Sequence, residues 1–455
     1  MDFNGKRVLV IGLARSGIAA IKALASRGAL LTGTDRKTRD QLGDSLLELD
    51  QLQVRIFAGS YPPVSREYYD LVVTSPGVPL DIKPLKAARE ANIPIMSELE
   101  LAYLLKPENI QLLAISGTNG KTTTVKLLQA ILTNDGYNTM AGGNIGIPLT
   151  TLVNSLSTGV IVVETSSFQL ETTDNFRPHI CALLNITPDH LDRHQNFENY
   201  VKAKAKIYAN QTGKDFAVLN YEDLHIRRMA EQCPSRVIYF STERILEEGS
   251  FIRDNHIYFV YGGKVQLICA ADKVSLRGKH NLENILCAVA VAAIAGVRTE
   301  SIAKTLMTFA GVRHRIEEVA IIDGVLYVND SKATNPESAI KALESFNEPV
   351  ILIAGGRSKG SNFTEFASHI PRKVKGLILL GEAKAEIKKA VMDYGFKNIH
   401  EVNDLSTAVN KARELAANGD VVLLSPACAS WDMFESYEHR GDLFCQLVRA
   451  IQAEQ

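Results

Sequence analysis

The residues best suited to chemistry lie in the run Gly117-Thr118-Asn119-Gly120-Lys121-Thr122-Thr123. It follows the apolar run Leu112-Leu113-Ala114 and leads into an amphipathic stretch from Val125 to Leu132, so strand, glycine turn and helix are expected in that order. Such a turn offers its N–H groups and the helix N-terminus to phosphate oxygens. Lys121 would reach the β- and γ-phosphates, and the Thr122 hydroxyl would ligate Mg²⁺. The full phosphate-loop pattern has a glycine where Ile115 stands, which leaves the shorter core from Gly117 to Thr122. This composition reads as an ATP site.

Other groups gain meaning beside that loop. Glu164 ends the apolar run Val160–Val163, where a carboxylate at a strand's carboxyl end suits a magnesium ligand; alone it would read as a solvated strand end. Asp189-His190 follows the apolar residues from Cys181. His190 there could ligate a second metal, bond a phosphate, or serve only the fold. Lys202, Lys204 and Lys206 sit on an expected helix over 200–210 and read by default as a solvated face. Gly142-Gly143-Asn144 is a glycine turn with one amide to offer a substrate, and Asn281 fits a helix N-cap. Nearer the start, Gly12 and Gly17 lie between a strand and a helix, with Asp35 closing the next strand. That is the outline of a dinucleotide turn, although Ala14 replaces the middle glycine. An NAD(P) oxidoreductase would rest on this turn alone. Ser75-Pro76-Gly77 ends another strand of the same sheet and would line the same crevice, or serve only as a tight turn.

The elements that must position these groups alternate strand and helix in three blocks, which argues for parallel sheets covered by helices. The chain has 455 residues, 46% of them hydrophobic and 22% charged, with a formal net charge of −1. That describes a multidomain globular protein with no electrostatic case for nucleic acid or an anionic membrane. The longest apolar run, 285–297, is short of the ~20 residues a bilayer span needs. The opening residues read as a strand rather than a secretory leader, and the six cysteines lack a paired spacing. A cytoplasmic location and free thiols are expected.

Taken in order, these motifs resemble those of the Mur ligases. To those above the resemblance adds Asp189–His194, His280–Asn284, His314–Glu317, Asn329–Asn335, Gly355–Lys359 and Ser425–Ser430, the stretches 329–335 and 425–430 matching the branch that adds D-glutamate. It implies a cytoplasmic, monomeric, ATP-dependent ligase of three α/β domains. These would be a Rossmann-like UDP-binding domain over 1–98, a central phosphate-loop ATPase domain over 99–311, and a Rossmann-like amino-acid-binding domain over 312–455. The implied substrates are UDP-N-acetylmuramoyl-L-alanine and D-glutamate, with ATP and two Mg²⁺ ions. Arg15, Ser16, Asp35, Arg36 and Lys37 would meet uracil or pyrophosphate, and Ser75, Gly77 and Asn144 the muramoyl-alanine arm. Gly117 to Thr123, Asn281, Asn284, Arg315 and Asp330 would bind ATP. Lys332, Thr334, Lys359, Ser430 and Tyr437 would receive D-glutamate; the family usually has Phe at the last position. Lys204 matches a lysine carbamylated in the family, which with Thr122, Glu164 and His190 would hold metal, against its default as a solvated lysine. Lys121, Glu164, His190 and Lys204 form the implied catalytic set. A sister ligase with another amino acid, or a module that binds nucleotide without consuming it, shares part of the pattern.

Overall fold

The computed structural model of the chain describes residues 2–358 and 360–453. Its strands form three sheets, whose inner strands are buried apolar runs such as Val8–Ile11, Leu112–Ile115 and Val350–Ala354. Contacts divide the chain into two compact units. One takes the chain up to Val274 together with Glu283–Thr308; the other takes Ser275–Leu282 and the chain from Phe309 onward.

In the first unit the five strands Arg55–Ala58, Leu30–Asp35, Arg7–Ile11, Leu71–Thr74 and Ile95–Ser97 lie side by side in that order, all parallel. Ile11 pairs with both Thr34 and Thr74, so the turns after these three strands emerge together. Strand order reverses there, and open α/β sheets place ligands at such a point.

The second sheet of this unit has nine strands, with Ile110–Ser116 between Gly159–Glu164 and Ile180–Leu183. Seven strands are parallel. The hairpin His256–Tyr261 and Lys264–Ala270, turning at Gly262-Gly263, adds two antiparallel pairings at one edge. The expected 200–210 helix instead spans Phe197–Ala205, ending where the chain tightens into turns. The alanine-rich helix spans Lys279–Ile294.

The second unit holds a six-stranded sheet in the order Glu317–Ile322, Val325–Asn329, Val421–Leu424, Val350–Gly355, Val374–Leu380, Ile399–Glu401. Only the first strand is antiparallel, joined through the Asp323-Gly324 turn, where both residues have positive φ. Val350, Leu352 and Ala354 enter one core and Ile351 and Ile353 the other, as a strand buried on both faces requires. Each such branched side chain contributes about 1.5–3 kcal/mol of burial. All six cysteines are free. No helix among the described residues is long and apolar enough to cross a membrane.

Candidate active site

The phosphate turn follows Ile110–Ser116, an inner strand of the nine-stranded sheet. Gly120 caps the helix Lys121–Asn134 in the left-handed conformation (φ +83°), and a Cβ there would lie 2.1 Å from Asn284 Oδ1. Only glycine fits both conditions. The turn is also laid against the end of the neighbouring strand. Thr118 N donates to the Asn185 carbonyl at 2.9 Å, and Asn119 N to Asn185 Oδ1 at 2.8 Å. The Thr118 hydroxyl lies 3.0 Å from the Tyr200 hydroxyl. Lys121 Nζ donates to the carbonyls of Gly117 at 2.9 Å and Thr118 at 2.7 Å, so the ammonium lies over the turn that would hold phosphate.

Glu164 sits at the centre of the first unit's polar network. Its carboxylate accepts from the Thr122 hydroxyl at 2.9 Å on one oxygen and from Asn144 Nδ2 at 3.0 Å on the other. Lys204 is 2% exposed and donates to the Gly117 carbonyl at 2.8 Å. Burial, then the nearby Lys121 ammonium, hold its amine well below the ordinary lysine range, opposed by Asp189 and Glu164. The solvated-face reading therefore fails at Lys204. It fails at Lys206 too, which donates to the carbonyls of Glu171 and Thr173; only Lys202, paired with Glu198, fits it. A three-residue pattern cannot see which side of a helix a distant loop will cover.

His190 adopts a left-handed backbone (φ +52°), lies 3.4 Å from Asp189, and packs its ring 4.8 Å from that of Phe168. Among the described residues no group of three or more His, Cys, Asp or Glu side chains could hold a metal ion. The paired oxygens of Thr122 and Glu164 nevertheless suit Mg²⁺, which takes one or two protein oxygens and fills its remaining positions with phosphate and water.

A cavity of about 560 Å³ lies at the reversal point of the first sheet. Arg15, Ser16, Asp35, Arg36, Lys37, Ser75, Gly77 and Asn144 all line it. Close packing sets its floor: a Cβ on Gly17 would lie 1.8 Å from the Gly12 carbonyl oxygen, and Ser75 Oγ donates to that same oxygen at 2.8 Å. Asp35 accepts from Leu13 N at 2.7 Å and Lys37 N at 2.9 Å, so the acid also fastens the turns around it. Gln169 lines this cavity as well and was not among the residues singled out from sequence. It is fully buried; its Oε1 accepts from Ser166 N in a capping box, while Nε2 has no hydrogen-bond partner. A capping glutamine reads as structural, so nothing local marks it. Asn284 lies against the phosphate turn, 3.3 Å from the Thr124 hydroxyl.

In the second unit three neighbouring parallel strands, Val325–Asn329, Val421–Leu424 and Val350–Gly355, send their carboxyl-end loops to one edge. Asp330 follows the first. Burial pushes its carboxyl up to about 7, against the Ser425 hydroxyl donating at 2.7 Å and the charge of Arg315. Lys332 Nζ stands 3.5 Å from the centroid of the Tyr437 ring, a cation–π contact that a phenol supports as well as phenyl. Thr334 N donates to the Lys332 carbonyl at 2.8 Å, and Ser430 is buried at the end of the neighbouring loop. Lys359 lies outside the described residues. Arg440, unmarked in the sequence, is buried and ties two loops together: Nε donates to Ser331 Oγ at 2.9 Å and Nη1 to the Cys428 carbonyl at 3.3 Å. Asn281 is not the N-cap expected of it. The helix starts at Lys279, and Asn281 Nδ2 donates back to the Arg277 carbonyl at 2.7 Å.

Three family models match in sequence: the MurD-like N-terminal domain over residues 6–97, the Mur ligase middle domain over 115–292, and the Mur ligase glutamate ligase domain over 314–428. The chain is 48% identical to a UDP-N-acetylmuramoylalanine–D-glutamate ligase of Pelotomaculum thermopropionicum, covering 99% of both chains. It is 45% identical to the protein of that name from Clostridioides difficile, covering 98% of both. In fold it is similar to the UDP-N-acetylmuramate-alanine ligase of Thermotoga maritima (TM-score 0.60, 20% identity, 99% of this chain and 100% of that one). It is also similar to the MurF ligase of Thermotoga maritima in complex with ADP (TM-score 0.59, 15% identity, 100% and 97%). With every sheet accounted for and its relatives matched end to end, the chain belongs to the Mur ligase family.

Proposed function

We infer that this chain is an ATP-dependent ligase that adds D-glutamate to UDP-N-acetylmuramoyl-L-alanine, in the cytoplasmic synthesis of peptidoglycan precursors. The shared name of its relatives supports the two substrates. The observation that carries the chemistry is the position of Glu164, bonded on one side to Thr122 beside the phosphate turn and on the other to Asn144 of the 560 Å³ cavity. A triphosphate on the turn and a nucleotide-sugar acid in the cavity would both be directed to that carboxylate.

A carboxylate is a poor electrophile. Its oxygen attacks the γ-phosphorus of ATP, ADP leaves, and the acyl phosphate now carries phosphate where a hydroxide-like group would have had to depart. The amine of D-glutamate attacks the acyl carbon, loses its protons, and orthophosphate leaves as the amide forms. Lys121 would leave its loop carbonyls and bond the transferring phosphoryl group. Asn144 would orient the acceptor acid. Burial favours the uncharged form of the Lys204 amine, the form that would attack CO₂ and lose one proton to give a carbamate anion beside Glu164. Thr122, Glu164, His190 and that carbamate would hold two Mg²⁺ ions, which supply charge neutralisation at the γ-phosphate and acceptor carboxylate.

Arg15, Ser16, Asp35, Arg36 and Lys37 hold UDP in this reading, and Ser75 and Gly77 the muramoyl arm. Asn281, Asn284, Arg315 and Asp330 contact ATP. Lys332, Thr334, Lys359, Ser430 and Tyr437 receive the two carboxylates of D-glutamate, which need cations and hydroxyl donors. The three working segments are 1–98, 99–311 and 312–455, and the chain acts as a monomer.

Phosphate release tests the assignment. With ATP and UDP-N-acetylmuramoyl-L-alanine present, D-glutamate alone among D-glutamate, L-alanine, L-lysine and L-glutamate should sustain turnover. Turnover on another amino acid would place the chain with a sister ligase, and turnover without the nucleotide sugar would refute the acceptor.

A further inference from the structure

The Ser75-Pro76-Gly77 turn walls one cavity, and its Gly77 also lines a second. The first is the 560 Å³ cavity, and the second, of about 890 Å³, reaches His190, Arg193 and His194. From the second cavity Arg193 grips the wall, with Nη1 donating to the Pro76 carbonyl at 2.7 Å. Its Nη2 donates to Glu171 Oε2 at 2.9 Å, and its guanidinium lies 4.2 Å from the centroid of Phe168. The other Glu171 oxygen lies 3.1 Å from His194 Nδ1, and His194 Nε2 lies 2.9 Å from the Ser167 hydroxyl. Phe168 packs in turn on the rings of His190 and His194.

This arrangement has a direction. Ser167, Phe168 and Glu171 belong to the segment that leaves the strand ending in Glu164. Pro76 belongs to the five-stranded sheet, and its neighbour Ser75 holds the Gly12 carbonyl. Arg193 is thus the joint between the turn that walls the cavity and the segment carrying Glu164 and Phe168. Its side chain is only 15% exposed, which shields both hydrogen bonds from competing water. A planar fork can hold a carbonyl and a carboxylate while lying flat on an aromatic ring; a lysine ammonium cannot do all three.

We propose that Arg193 is a positioning residue for the nucleotide-sugar substrate, fixing the Ser75–Gly77 wall through its bonds to Pro76 and Glu171. It contacts no reacting atom in this account, and the proposal rests on the functional reading above. R193K is expected to raise the KM for UDP-N-acetylmuramoyl-L-alanine about tenfold while the KM for ATP stays within about twofold. E171Q keeps the shape but removes the charge that orients Arg193 and is expected to give a smaller rise in the same constant. The double variant should be no worse than R193K alone, because both remove one joint.

Steady-state constants for all three substrates, with melting temperatures of each variant, decide the matter. An unchanged KM for the nucleotide sugar in R193K overturns the proposal, as do equal rises for all three substrates. Should R193K fail to fold, E171Q carries the test by the same criteria: a selective rise supports the joint, and none overturns it. Loss of nucleotide-sugar-dependent turnover in the unmodified protein would instead strike the functional reading itself.

Discussion

Replacing Lys121 with alanine is expected to lower ATP-dependent ligation by about a hundred- to a thousandfold, the scale on which one preorganised donor to a developing charge acts. The ammonium lies over the turn, bonded to the carbonyls of Gly117 and Thr118, in the position from which it can turn to phosphate oxygens. The glycine backbone that shapes the cradle does not depend on it. Gly120 keeps its positive φ, and Thr118 and Asn119 remain fastened to Asn185. The variant should therefore keep its melting temperature within a few degrees while losing turnover. Phosphate release measured beside a melting curve separates the two effects, and substantial turnover by the variant would remove the phosphate-cradle assignment.

Lys204→Ala should be nearly inactive for a different reason. A buried lysine amine with one carbonyl partner, beside a second lysine, would be a costly feature if it served only the fold. It makes chemical sense as a nucleophile toward CO₂ that ends as an anion near Glu164. Removing the side chain opens space there, and a short carboxylic acid such as formate or acetate could supply an anion. Activity is expected to fall by two or more orders of magnitude, about what other charge-stabilising groups contribute, and to recover in part as the added acid is raised. Normal activity without any added acid would dismiss the carbamate.

The parts of the site visible in the sequence are those where chemistry restricts the residue type locally. Gly120 must be glycine because of its backbone and its neighbour Asn284, and Lys121 and Thr122 follow it at the helix start, so loop and chemistry are written in consecutive residues. The glycine turn at Gly12, the acid Asp35 and the Ser75–Gly77 turn could be read because parallel strands bring their ends together in a known order. The Gly262-Gly263 hairpin joins the nine-stranded sheet through Gly249–Arg253, the strand just before it in sequence. The places of Lys206, Arg193 and Arg440 were missed for one common reason. Each is defined by partners far away in sequence: Lys206 by Glu171 and Thr173, Arg193 by Pro76, and Arg440 by Ser331. Gln169 looks like an ordinary cap until the cavity beside it is seen. Asn281 illustrates the opposite error, a good capping residue whose helix begins two residues earlier.

Carboxylate activation is the step on which this account depends, and oxygen labelling follows it directly. With both oxygens of the terminal carboxylate of UDP-N-acetylmuramoyl-L-alanine carrying the heavy isotope, one labelled oxygen should appear in the inorganic phosphate released per turnover and the other should remain in the new amide. Released phosphate free of label, with both heavy oxygens still on the acceptor or lost to water, would contradict it.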